Sequence, residues 1–297
     1  MTVLSTRSAS APSVPTQRRS RPELRRVLGR TWTYGSLVIA CLVTLVPLAV
    51  IFLGSLKTNS ELLSTDPLTP PRHWTNFSNY RTAFDQGKMM SAFVNTAVIV
   101  CVSIVGTILI GSMAAYAISR FRFRFRKAVL GLFLLATLVP SVTTQVATFK
   151  IVNYLGLFDT RGSAIALFTG TDILSIYIFV QFLQGIPREL DEAAAIDGAN
   201  HWSIYWRIIL PLLKPAIATV IIIKGVAIYN EFYIPFLYMP SDNLGVMSTS
   251  LFHFLGPFSA RWEVICAGVV IVLTPTLILF LALQRWVYNG FTSGAVK

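Results

Sequence analysis

Charged side chains are scarce in this chain. Only 13% of its 297 residues are charged while 54% are hydrophobic, whereas a soluble globular chain carries about 25% charged residues. The mean hydropathy of +0.63 agrees and places the chain among membrane proteins. Cysteine is rare too. Cys41, Cys101 and Cys266 each fall within an apolar run, which reads as small buried hydrophobes rather than a disulfide or metal set. His73, His201 and His253 are far apart and pair with no cysteine, so no zinc pattern arises. Nucleotide-binding signatures are missing. Gly87-Lys88 is the one Gly-Lys pair, and Thr82 stands where a phosphate loop needs its earlier glycine. There is no G-x-G-x-x-G and no H-E-x-x-H. These gaps exclude ATP hydrolysis by this chain itself, and the scattered histidines and loop acids supply no acid, base or metal cluster for a membrane-embedded enzyme. No cofactor is expected.

What the chain has is apolar runs. A spanning helix needs about 20 mostly apolar residues, and six stretches qualify: Tyr34 to Leu53, Phe93 to Ile118, Ala128 to Thr148, Ala164 to Ile186, Ile208 to Tyr229, and Val264 to Leu283. Pro140 and the polar patch Ser141 to Gln145 interrupt the third, as is tolerated where protein or a water-filled cavity lines the break. The expected fold class is therefore an all-α polytopic membrane protein with six transmembrane helices. Residues 1–33 are polar, proline-bearing and arginine-rich and read as a disordered tail. Residues 34–90 hold the first span and an outer loop, residues 91–285 the other five spans, and residues 286–297 a short tail. The first apolar run is too long for a signal-peptide core and reads as an uncleaved anchor.

The net charge of +12 follows the topology. Seven arginines lie in the N-terminal tail, and five basic residues fill the loop from Arg120 to Lys127. Positive residues in short loops mark the cytoplasmic side, so the tail, the second and fourth loops and the C-terminus are cytoplasmic. The basic excess needs no nucleic-acid partner. In the Arg-Phe alternation around Arg122, arginines anchor a helix end at the head groups while phenylalanines dip into lipid.

The fourth loop, residues 187–211, interrupts the apolar sequence with DEAAAIDGANHWSIYWRIILP. Pro187 suits a first helical turn, and Glu189, Asp191 and Glu192 favour a helix N-terminus. Three alanines continue the helix and Gly198 ends it. Either Asn200 or Ser203 can cap a second helix, whose Trp202, Tyr205 and Trp206 form an interfacial aromatic belt. Glu192 has a local alternative as a partner for Arg188 one turn back.

Glu192-Ala193-Ala194, three residues, Gly198, nine residues, Ile208, one residue, Leu210-Pro211 matches the EAA loop of ABC-importer permeases at every defining position. AAYAISRFRF, NYLGLFDT, YNEFYIP, SLKTNSELLS and NFSNYRTAF resemble the carbohydrate branch, in particular the second, shorter permease of maltose-type systems. The resemblance runs from about Tyr34 to the end. Tyr229 and Ala147 depart from it, where the family commonly has tryptophan and often has proline nearby.

The resemblance implies a type I importer permease fold in the bacterial cell membrane, with a cytoplasmic coupling helix. Its implied partners are a second permease, two ATP-binding subunits at the cytoplasmic face, an extracytoplasmic sugar-binding protein and the lipid bilayer. Glu192, Ala193, Ala194, Asp197 and Gly198 would sit in the docking helix and its bend, and Ile208, Leu210 and Pro211 would set re-entry into the membrane. The implied cargo is an oligosaccharide or disaccharide, with a polyol or glycerol phosphate as the alternative. An ion-coupled secondary transporter is a weaker fit, since Asp172 is its one serious intramembrane carboxylate.

Ionisable residues inside spans are functional candidates by default. At about 1.5 Å per residue, Asp172 lies about 13 Å inside the outer end of the fourth span, and Lys224 about 12 Å inside that of the fifth. They either pair across facing helices, line a polar route, or separate to a water pocket and the interface. Asn230 and Glu231 at the outer mouth, with Tyr177 and Tyr229 as sugar-stacking aromatics, complete the candidate path. The bland reading of each is a helix-end or packing residue.

Overall fold

The computed structural model describes residues 22–170, 172–256 and 260–295. Among them the regular elements are helical, apart from an isolated bridge between Leu255 and Ala260. The chain divides into two compact units, residues 1–49 and 50–297.

The first unit is carried by α1, Pro22–Leu56, which continues into the second. Leu37, Val38, Ile39, Leu42 and Val43 are all exposed. A helix that is apolar all round needs an apolar surrounding, and Pro47 inside it is tolerated in such a helix. The helix starts at Pro22 rather than Tyr34, so it takes in the last part of the expected tail. The rest of the arginine-rich tail lies outside the described residues.

In the second unit, α2 (Met89–Arg120) is the centre. Asn95, Thr96, Ile99, Ser103, Thr107, Gly111, Ser112, Ala115 and Ser119 form its buried stripe. Small side chains at that spacing let neighbouring helices approach closely. A Cβ on Gly106 would collide with the Thr169 side chain, and one on Gly111 would lie 3.4 Å from the Phe179 ring. The helices that approach are α5 (Arg161–Thr169) and α6 (Ile173–Gln184). Before them come α3 (Arg126–Thr137) and α4 (Ser141–Tyr154). After them come α7 (Glu189–Ile196), α8 (His201–Leu212), α9 (Lys214–Asn230) and α10 (Trp262–Ala295).

Among the described residues two helices, α1 from Gly29 and α2, are long and apolar enough to cross a membrane. Counting each bent pair as one span gives up to four. Several expected boundaries change. The third run is two helices parted at Pro140, whose ring and missing N–H stop a helix from passing through it. The fourth, expected as one helix from Ala164 to Ile186, is broken after Thr169 and bent by 40°. Gly170 caps α5 and Asp172 precedes α6. The fifth does not run straight from Ile208, because α8 and α9 meet at a 70° bend. Within α8, Tyr205–Ile209 widens to a π-turn just before Pro211. Proline clashes with the carbonyl one turn back, and a π-bulge relieves that clash by local widening. The apolar part of α10 is Trp262–Ile278, and the helix continues to Ala295 where a tail from residue 286 was expected.

The main core joins α2, α6, α8 and α9. Tyr116, Phe179, Leu183, Tyr205, Ile209, Leu213 and Val220 are its larger members, and the Ser112 and Tyr205 hydroxyls share a buried hydrogen bond of 2.7 Å. Two loops distant in sequence are tied as well. The NYLGLFDT turn places Asp159 at φ 56°, where its carboxylate accepts from Ser241 N at 3.0 Å and from the Ser241 hydroxyl. The free thiols correct an expectation: Cys41 and Cys101 are exposed and Cys266 is half-buried. In a chain surrounded by lipid, an outward face is apolar, so an apolar run does not imply burial within the protein.

Candidate functional site

Local chemistry folds the 187–211 loop much as its sequence predicts. Helix α7 carries Glu189, Asp191 and Glu192 in its first turn, the end where negative charge is favoured. Gly198 has φ +82°, a left-handed conformation that glycine adopts without the Cβ penalty. The chain then turns into α8, capped by the Asn200 side chain accepting from Ser203 N at 2.8 Å. Of the two candidates, Asn200 is therefore the cap.

The loop has two faces. Leu190, Glu192, Ala193, Ala195, Ile196, Asp197 and Gly198 are exposed, and Ile196 is 87% exposed. Ala194 packs against the main core together with Ile208 and Leu210. Ile209 and Leu213 beside them are fully buried. Pro211 follows the π-turn. The exposed small-residue face is the part another protein could approach closely.

The inward face is held by residues that sequence reading assigned no such role. Arg120 Nε lies 2.6 Å from Asp191 Oδ2, with side chains 10% and 17% exposed. Arg120 Nη2 also donates to the Ile186 carbonyl at 3.0 Å. In return Arg188 Nη2 donates to the Ser119 carbonyl at 2.8 Å. Two arginines thus cross-brace the end of α2 and the start of the loop. Arg188 is therefore engaged with α2, not with Glu192 one turn away, and Arg120 faces protein rather than the head groups. Phe121 packs edge-on against His201 at 5.0 Å, and Tyr116 against Tyr205 at 5.7 Å, so α8 is tied to the same end of α2. Burial pushes the Asp191 carboxyl above the usual carboxylate range, while Arg120 and Arg188 pull it back. The signal was present in sequence as an arginine closing an apolar run and an acid opening the loop. Sequence separation hid their proximity.

Deeper in the chain, Lys224 Nζ on α9 lies 3.3 Å from Asp172 Oδ1, with side chains 21% and 14% exposed. The Ser175 hydroxyl donates to Asp172 Oδ2. Of the alternatives for these two charges, the structure brings them together. The Ser103 and Thr169 hydroxyls are buried without a hydrogen-bond partner among the described residues.

The remaining path candidates are taken up locally. The Tyr229 hydroxyl donates to the Val272 carbonyl at 2.7 Å, and Asn230 Nδ2 to the Val226 carbonyl at 2.9 Å. Glu231 Oε1 accepts from Tyr233 N at 2.9 Å, capping the short helix Tyr233–Tyr238. Tyr177 on α6 is 49% exposed.

Known proteins match this arrangement over most of its length. Residues 107–293 fit the family model described as binding-protein-dependent transport system inner membrane component. The melibiose/raffinose/stachyose import permease protein MelC of Bacillus subtilis (strain 168) is 30% identical over 262 residues, covering 88% of this chain and 94% of the relative. The probable starch degradation products transport system permease protein AmyC of Thermoanaerobacterium thermosulfurigenes is 31% identical over 263 residues, with 88% and 94% covered. The fold is similar to that in a crystal structure of a bacterial ABC transporter involved in the import of the acidic polysaccharide alginate. That match has a TM-score of 0.77 and 20% identity, and covers 90% of this chain and 98% of the other.

Proposed function

The chain belongs to the family of binding-protein-dependent transport system inner membrane components, and from that premise we propose that it is the permease subunit of an ATP-driven importer of oligosaccharides. A permease of this kind is a transport component and not an enzyme. It pairs with a second permease, receives sugar from an extracytoplasmic binding protein, and leaves ATP hydrolysis to two separate subunits at the cytoplasmic face. The relatives that import melibiose, raffinose and stachyose or starch products support a di- or oligosaccharide cargo, with a polyol or glycerol phosphate as the alternative.

The observation that carries the coupling role is the loop 187–211. It presents Glu192, Ala193, Ile196, Asp197 and Gly198 outward while its inner face is bolted to α2. A segment that is rigid behind and small-residued in front suits docking into a groove of another subunit. The six-span topology expected from the sequence, with both termini cytoplasmic, would put this loop on the ATPase side. Transport then proceeds by alternating access, the spans switching between inward- and outward-open forms as the ATPases close. Asp172, Lys224 and the unpartnered Ser103 and Thr169 hydroxyls offer a hydroxyl-rich ligand polar contacts across the interior; on this reading Tyr229, Asn230 and Glu231 lie nearer the outer mouth, and Tyr177 lies beyond Asp172 toward the cytoplasmic end.

The test is to purify the complete complex and screen oligosaccharides and polyols for binding-protein-dependent stimulation of its ATPase. Gly198→Trp adds bulk to the exposed docking face, where no atom of this chain lies within 4 Å of an added Cβ, and it also strains the left-handed bend. It should remain in the membrane but fail to retain the ATPase subunits on copurification. Normal sugar uptake by that variant would overturn the assignment of the loop.

A further inference from the structure

We propose that Arg120 and Asp191 are positioning residues that make α7 and the cytoplasmic end of α2 move as one body. The proposal rests on the permease reading and adds a route by which the loop acts. A loop joined to the rest of the chain only at its two ends would absorb a push by flexing at those ends. Here the glycines that flank α7 are Gly185 and the left-handed Gly198, the residues with the most backbone freedom.

The cross-brace prevents that. Arg120 holds a carboxylate on α7 and a carbonyl just before it, while Arg188 returns a bond to α2. The guanidinium donates from Nη2 to the carbonyl while its charge lies against the carboxylate, a contact of opposite charges rather than a hydrogen bond. With both charged side chains largely shielded from solvent, the attraction is screened far less than a surface pair. Helix α2 is also the element on which the interior charge pair depends. Its Gly106 abuts Thr169, just before the break that bears Asp172, and its Ile104 lies 3.4 Å from a Cβ built on Gly225, next to Lys224. A displacement carried into α2 therefore reaches both sides of the Asp172–Lys224 pair.

The experiment uses the full complex with its partner permease and ATPases in lipid nanodiscs. The three native cysteines are replaced by serine, and spin labels are placed at Ile196→Cys and Ala117→Cys, both exposed positions. Distances are read in the nucleotide-free and ADP–vanadate-trapped states. Without further substitution the distance should stay constant between states. With Asp191→Asn it should change on trapping by more than about 2 Å, the upper end of the helix shifts seen at interfaces. Asp191→Glu, which keeps the charge, should restore constancy. A variant that merely loosened the fold would alter both states alike. A distance that changes on trapping without further substitution, or an Asp191→Asn variant that holds it constant, overturns the proposal. Should Asp191→Asn fail to assemble, Arg120→Gln serves in its place, and the unsubstituted chain alone still decides whether the two helices move together. A complex that hydrolyses no ATP refutes the permease reading, and the proposal with it.

Discussion

Two ion pairs among the described residues, both largely shielded from solvent, are similar in exposure and different in construction. Arg120–Asp191 closes at 2.6 Å and is braced by backbone carbonyls on both sides. Asp172–Lys224 stands at 3.3 Å, supported by the hydroxyl of Ser175 from within α6. Arginine spreads its charge over a fork of donors, while lysine is a point charge on a flexible stem. The first pair is built to hold two elements in one arrangement. The second has no backbone acceptor across the gap, so the pair itself can open when that part of α6 and α9 shifts. Buried pairs are costly to desolvate and so are weak evidence for stability. Their value here lies in which helices they fix and which they release.

Removing one partner tests that contrast most severely. Lys224→Met leaves Asp172 without its cation in a largely closed interior, and breaking a buried pair in this way costs about 3–5 kcal/mol. Thermal unfolding of the purified chain in detergent should show the largest loss of any change considered. Combining it with Asp172→Asn should recover most of the stability while impairing transport. A single variant that unfolds no earlier than the native chain would mean that water already reaches the pair. Arg120→Lys should cost less, about 1.5–3 kcal/mol. It keeps the cation for Asp191 but surrenders the simultaneous bond to Ile186. If Arg120→Lys unfolds no earlier than the native chain, the bracing by the backbone acceptor carries no weight.

The contrast also shows what sequence can and cannot reveal. The loop was legible in detail, because capping, a left-handed glycine and small residues act over a few positions. The bend at Gly198 and the cap at Asn200 follow from residues within one turn of each other. Asp172 and Lys224 were legible as candidates because charge in an apolar run is costly, although their pairing needed the fold. The breaks at Gly170 and Leu213 were missed. Hydropathy averages over a window, and an apolar run reads the same whether its helix is straight or bent by 70°. Arg120 was misassigned for a related reason. An arginine at the end of a span suits head groups in most chains, and only tertiary placement brings Asp191 against it, 71 residues away.

Two smaller effects sharpen the comparison. Ser175→Ala removes the one hydroxyl that supports Asp172 and should cost about 0.5–1.5 kcal/mol in the same unfolding measurement. The smallest effect concerns protons. Burial raises the Asp191 carboxyl above its ordinary value despite Arg120 and Arg188, while Glu192 and His201 contribute in opposite directions. A carboxyl whose folded value is raised binds its proton more readily folded than unfolded. Its charged form therefore costs stability above the folded value, and that cost disappears as the pH falls through the folded value toward the unfolded one. Asp191→Asn cannot titrate, and other groups largely cancel between the two proteins. The unfolding temperature of the native chain minus that of Asp191→Asn should therefore rise as the pH is lowered through this window. The same acidification neutralises the partner of Arg120, so the chain becomes more tolerant of heat as its brace weakens. A difference that falls on acidification would mean that Arg120 outweighs burial at this site and that the brace also stabilises the fold.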